Sequence, residues 1–109
     1  MSINEVVMIT VIAEIKTKPG HRETVLKAIE KLVPLVLAED GCSEYTPMID
    51  SHTQAPWQKL SPDSVFMLEK WASQAHLEKH LDIAHMHRHR DTIKDSVLGV
   101  TIHVLGNAL

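Results

Sequence analysis

Residues 64–85 read SVFMLEKWASQAHLEKHLDIAH, and they decide the architecture. Val65, Phe66, Met67 and Leu68 form an apolar run of strand length, bounded upstream by Ser61-Pro62-Asp63. Alternation puts Val65, Met67, Glu69 and Trp71 on one face and Phe66, Leu68 and Lys70 on the other. Ser73 can then cap a helix in which Leu77, His80, Leu81 and Ala84 fall at i, i+3, i+4 and i+7. His80 therefore interrupts an apolar stripe, next to a strand that presents a carboxylate and an indole on a single face. A chemical site is expected where these two elements pack together.

Upstream, Val6–Ile15 (VVMITVIAEI) reads as a strand rich in β-branched residues. It is largely apolar on both faces, as in a sheet covered on both sides. Helices of so short a chain can cover one face, and a partner subunit is expected on the other. Lys18-Pro19-Gly20 is a turn, and from about His21 to Glu39 the pattern is helical, with a kink or break expected at Pro34. Asp40-Gly41 ends the helix. Cys42–Ile49 is a second strand, shortened or bulged at Pro47. Asp50–Asp63 has no periodicity and reads as a long functional loop or lid carrying Trp57. After a short polar helix with Met86, Ile93 and Val97 on one side, Val100–Leu105 is the last strand. The order β-α-β-β-α-(α)-β predicts an α+β, ferredoxin-like split βαβ fold with an antiparallel sheet.

The 109 residues predict one domain, with its core over about 6–105, large enough to bury roughly 65% of the unfolded surface. With 44% hydrophobic and 23% charged residues, neither disorder nor a repeat is indicated. A net charge of −3 gives no electrostatic reason to expect nucleic acid. The single cysteine, Cys42, cannot form an internal disulfide and reads as a packed thiol. Glu5 stands where a signal peptide would be basic, and Glu14 breaks the apolar run too early to span a bilayer, so a cytoplasmic protein without membrane contact is expected.

Three phrases in this order, VIAEIKTKPG, AEDGCSEY and LEKWASQAHLEKH, resemble the antibiotic biosynthesis monooxygenase family over nearly the whole chain. The resemblance implies a dimeric α+β barrel, in which the sheets of two subunits pack face to face, with a pocket between sheet and helices. It implies enzymes that oxidise quinols or polyketide aromatics with O2 and neither metal nor flavin. Relatives degrade haem or isomerise a small dione. The haem-degrading branch uses an asparagine where Ala13 stands here, which argues against that activity.

Oxygenation without a cofactor needs a base that deprotonates a phenol or quinol, an apolar cavity, and groups that hold the oxyanion. His80, with an ordinary pKa near 6.5, suits the base. Trp71 and Tyr45 are the candidate substrate-binding donors, and Glu69 is the group expected to orient His80. The blander account is a core histidine, a core indole and a structural ion pair. Glu14 and His103 read as interface or edge positions. His85-x-His87-x-His89 lacks any recognisable zinc spacing and reads as a solvated histidine-rich face, so no metal site is expected. The leading expectation is a homodimeric, cofactor-free monooxygenase acting on a quinol-like aromatic and O2. Proton-transfer isomerisation of a small dicarbonyl, or ligand binding without chemistry, are the alternatives.

Overall fold

A computed structural model describes residues 8–109 of the chain. Strand β1 (Ile9–Thr17) is followed by helix α1 (Arg22–Leu37), strands β2 (Cys42–Met48) and β3 (Ser64–Trp71), helices α2 (Gln74–Leu81) and α3 (Ala84–Ile93), and strand β4 (Val97–Leu105). The four strands form one antiparallel sheet in the order β2-β3-β1-β4. This is the expected α+β, ferredoxin-like arrangement. The expected start of the first strand at Val6 lies outside the described residues.

The alternation in β3 is realised: Val65, Met67, Glu69 and Trp71 are buried, and Lys70 is exposed. In register beside them, Val11, Ala13 and Ile15 of β1 face the same side. Val25, Ile29, Leu32 and Val36 of α1 close over this face and complete a single core. Trp71 is fully buried, and replacing such an aromatic with alanine costs about 3–5 kcal/mol. The opposite face of the sheet aligns Ile12 with Leu68 and Phe66 with Met48, and among the described residues no helix covers it.

Three local expectations are corrected. The break expected in α1 does not occur: the helix runs through Pro34, in its last turn, to Leu37, forgoing only the bond that a proline cannot donate to the Glu30 carbonyl. Strand β2 passes through Pro47 and is irregular between Cys42 and Glu44 instead. As an edge strand, it has one side on which a missing N–H costs nothing. The helix after Ser73 stops at Leu81 rather than including Ala84. Asp82 N–H closes the last turn on Lys79 and His80, and Ile83 is extended (ψ 149°) before α3 begins. Leu81 and Ala84 are consequently exposed.

The segment between β2 and β3 is loop, as expected, with Asp50 accepting from Ser61 N–H at 2.6 Å and Trp57 82% exposed. Among the described residues no helix is long and apolar enough to cross a membrane.

Candidate active site

The turn joining α1 to β2 seats the first functional group. Gly41 adopts φ +82°, and a side chain there would overlap the His76 ring, which packs over it. The Gly41 carbonyl accepts from Ala72 N–H at 2.8 Å, tying this turn to the β3–α2 junction. On the other side of that junction Ser73 caps α2 as predicted, its hydroxyl accepting from His76 N–H. These two attachments hold Glu39 against α2.

Glu39 meets His80 there. Its carboxylate oxygens lie 3.1 and 3.0 Å from His80 Nδ1, and its Oε2 lies 2.6 Å from His85 Nε2. The His80 ring is tilted 36° to that of Trp71 with centroids 4.5 Å apart, and Tyr45 approaches it edge-on at 5.6 Å. Glu69 Oε1 accepts from Trp71 Nε1 at 3.0 Å. The carboxylate that orients His80 is thus Glu39, not Glu69. Glu69 is committed to the indole because side chains two apart on one strand face are neighbours. Glu39 carries no periodic signal, being in a turn; its only trace in the sequence is its position beside Asp40-Gly41, at the end of α1.

A cavity of about 210 Å³ lies between sheet and helices. His80, Tyr45 and Glu69 line it together with the apolar Ile15, Met67 and Ile102, and His89 and Arg90 border it from α3. Three of the four expected site residues therefore share one cavity. Trp71 does not line it: it lies behind the others, with its N–H already given to Glu69. None of the loop residues between β2 and β3 lines the cavity.

The histidine-rich segment is likewise not a uniformly solvated face. His87 is exposed and paired with Asp82, but His85 is held by Glu39 and His89 borders the cavity. Among the described residues no group of three or more His, Cys, Asp or Glu is arranged to hold a metal ion. Cys42 packs as a thiol, its Sγ–H directed at the Glu44 carbonyl and its pKa pushed up by burial. Glu14 accepts from Ser64 Oγ at 2.8 Å, and His103 is exposed on the edge strand β4.

Burial dominates the electrostatics. It lowers the pKa of His80 against the opposing pull of Glu39, so that His80 favours the neutral ring. Burial pushes the Glu69 carboxyl up to about 7; the charge of Glu39 adds to this and the Trp71 bond opposes it. The Tyr45 phenol is raised by burial and by both carboxylates, so it remains a neutral hydroxyl near pH 7. Glu39 accepts from Nδ1–H, which leaves Nε2 of His80 as the lone-pair nitrogen available to a molecule in the cavity. The arrangement provides a neutral base, a neutral phenol donor and a carboxyl that gains or loses its proton near neutrality, in an apolar chamber.

Residues 8–92 match the family profile described as antibiotic biosynthesis monooxygenase. Over 100 residues, 90% of this chain and 96% of the relative, the sequence is 47% identical to "Probable quinol monooxygenase YgiN" of Escherichia coli K12. Among solved structures, PA3566 from Pseudomonas aeruginosa aligns with a TM-score of 0.78 at 28% identity, covering 94% of this chain and 96% of that one. Rv0793 from Mycobacterium tuberculosis aligns at 0.76 and 19% identity over 94% and 96% of the two chains, a likeness of fold. By sequence over most of its length and by fold, the chain belongs to the antibiotic biosynthesis monooxygenase family.

Proposed function

We propose that the protein is a quinol-type monooxygenase that oxidises a hydroxylated aromatic with O2 and no cofactor. The observation that carries this reading is His80, anchored through Nδ1 by Glu39 and lining an apolar cavity with Tyr45 and Glu69. His80 Nε2 takes the phenolic proton, and the resulting anion is electron-rich enough to reduce O2 itself. One oxygen atom bonds to the ring and becomes a carbonyl or hydroxyl of the product. The other leaves as water, and the substrate supplies all the electrons. For a phenol the balance is one ring C–H, one phenolic O–H and O2 giving two C=O and H2O, so the proton His80 took from the phenol is returned to the departing oxygen. Tyr45, kept neutral, donates to the substrate oxyanion.

The similarity to a relative named as a quinol monooxygenase supports a quinol as substrate. Homodimerisation is part of the proposal. Ile12, Phe66, Leu68 and Met48 form an apolar stripe on the sheet face that no helix among the described residues covers, and a second copy would bury it.

The test is O2 consumption by chelator-treated protein with a panel of reduced quinones, measured against autoxidation. Uptake above autoxidation is expected, falling about 10²-fold or more in His80→Ala, the usual scale for loss of a general base. Equal uptake by the variant would remove His80 from the mechanism.

A further inference from the structure

Glu39 serves two imidazoles with one negative charge. Its Oε2 receives both His80 Nδ1 at 3.0 Å and His85 Nε2 at 2.6 Å. An ionised carboxylate only accepts, so both ring nitrogens donate. The three side chains form a graded path outward: His80 is 1% exposed, Glu39 7% and His85 15%. His85 also borders a surface groove between α1 and α3, in the company of Lys31, Arg88 and His89.

The interruption at Asp82-Ile83 makes this arrangement possible. Residues five apart on one continuous helix point about 140° away from each other, so His80 and His85 could not both reach a single carboxylate. With the extended Ile83 between them, the chain turns and they do.

We propose that His85 is a positioning residue that sets the base strength of His80 through the carboxylate they share. When His85 carries a proton, the charge of Glu39 is drawn outward and His80 holds a proton weakly. When His85 is neutral, the same charge backs His80. A charge on the groove-side ring lowers the proton affinity of the buried one, so the state of the surface is transmitted to the site. The other ionisable groups facing the pair are Glu69 from β3, Tyr45 and Cys42 from β2, and Arg90 from α3; around His85 they are Lys31, Arg88 and His89. Of those facing His80, Glu69 also changes charge near pH 7. The kinetic arm of the test rests on the oxygenase reading; the titration arm does not.

The experiment follows the ring signals of His80 by NMR across pH in uniformly labelled wild type, His85→Ala and His85→Gln, with His80→Gln to assign them. Each titration is repeated in a Glu69→Gln background to remove the carboxyl that titrates near neutrality, and in a His89→Gln background to remove the neighbouring ring. The wild type is expected to show the Nδ1–H tautomer. In His85→Ala the His80 midpoint should rise by about one pH unit, the scale of a neighbouring charge no longer shared. His85→Gln, which keeps a donor to Glu39 but no charge, should show a smaller rise, and it decides the matter alone if the alanine variant does not fold. An unchanged or lowered midpoint in the folded variants would overturn the proposal. With a turned-over quinol, the acid limb of kcat/KM should move in the same direction. Wild-type protein without turnover would refute the oxygenase reading, while the titrations would still decide the role of His85.

Discussion

Replacing Glu69 by glutamine should make the protein more stable above neutrality and leave it unchanged in mild acid. The amide oxygen can still accept from Trp71 Nε1, so the 3.0 Å bond is kept and only the titration is removed. A carboxyl moved from its ordinary 4.5 to about 7 keeps its proton in the folded chain across that window, while the unfolded chain has released it. The folded state therefore binds more protons, and stability falls as pH rises from 4.5 to 7. At about 1.4 kcal/mol per pH unit the wild type loses about 3 kcal/mol on crossing the window. His80, whose pKa is lowered, contributes in the opposite sense: its stabilisation is lost as pH falls below the ordinary histidine range. That contribution is common to both proteins and cancels in their difference. Urea unfolding of both at pH 5, 6, 7 and 8 measures the effect. The difference should be under about 1 kcal/mol at pH 5 and grow to about 3 kcal/mol in favour of the glutamine variant at pH 8. A constant difference across the series would show that burial does not hold the Glu69 carboxyl in its protonated form.

Other outcomes follow from the same geometry. Gly41 and Gly20 both have positive φ, but only at Gly41 would a side chain overlap a neighbour, the His76 ring. Gly41→Ala should therefore cost clearly more than the roughly 1 kcal/mol expected of Gly20→Ala, and equal losses in urea unfolding would refute the close approach. Leu68→Asp, on the uncovered sheet face, should convert a dimer to a monomer in sedimentation velocity; a wild type that is already monomeric would refute the proposed pairing of sheets.

Much of the fold was legible because its signals are local. The period of two in Val65–Trp71 assigns faces without knowledge of any partner strand, and Ser73 announces its helix by a bond three residues long. His80 could be singled out because a polar ring in an apolar stripe is conspicuous. Glu39 could not. It stands in a turn between elements, and its two ligands come from helices more than forty positions downstream, so only the assembled fold brings them together. The break at Asp82-Ile83 was illegible for a related reason: no proline or glycine marks it, and tertiary packing outweighs a helical pattern that runs on through Ala84. Reading Trp71 as a substrate contact failed because alternation assigns a face but not a depth. The indole lies behind the cavity rather than on it.

The sheet order has a kinetic consequence. The central strand β1 is made first, yet its hydrogen-bonding partners are β3, which pairs Trp71 with Ile9, and β4, which pairs Leu105 with Thr10. During synthesis one edge of β1 therefore waits for β3 and the other for β4, and until then α1 has only part of a sheet to settle on. Long-range pairing of this kind slows closure, because loop entropy is lost before the contacts that reward it are made. The cavity takes its walls from β1, β2, β3, α2, α3 and β4. It cannot exist in any partly folded state, so a binding-competent site and the completed sheet should arise in one cooperative step.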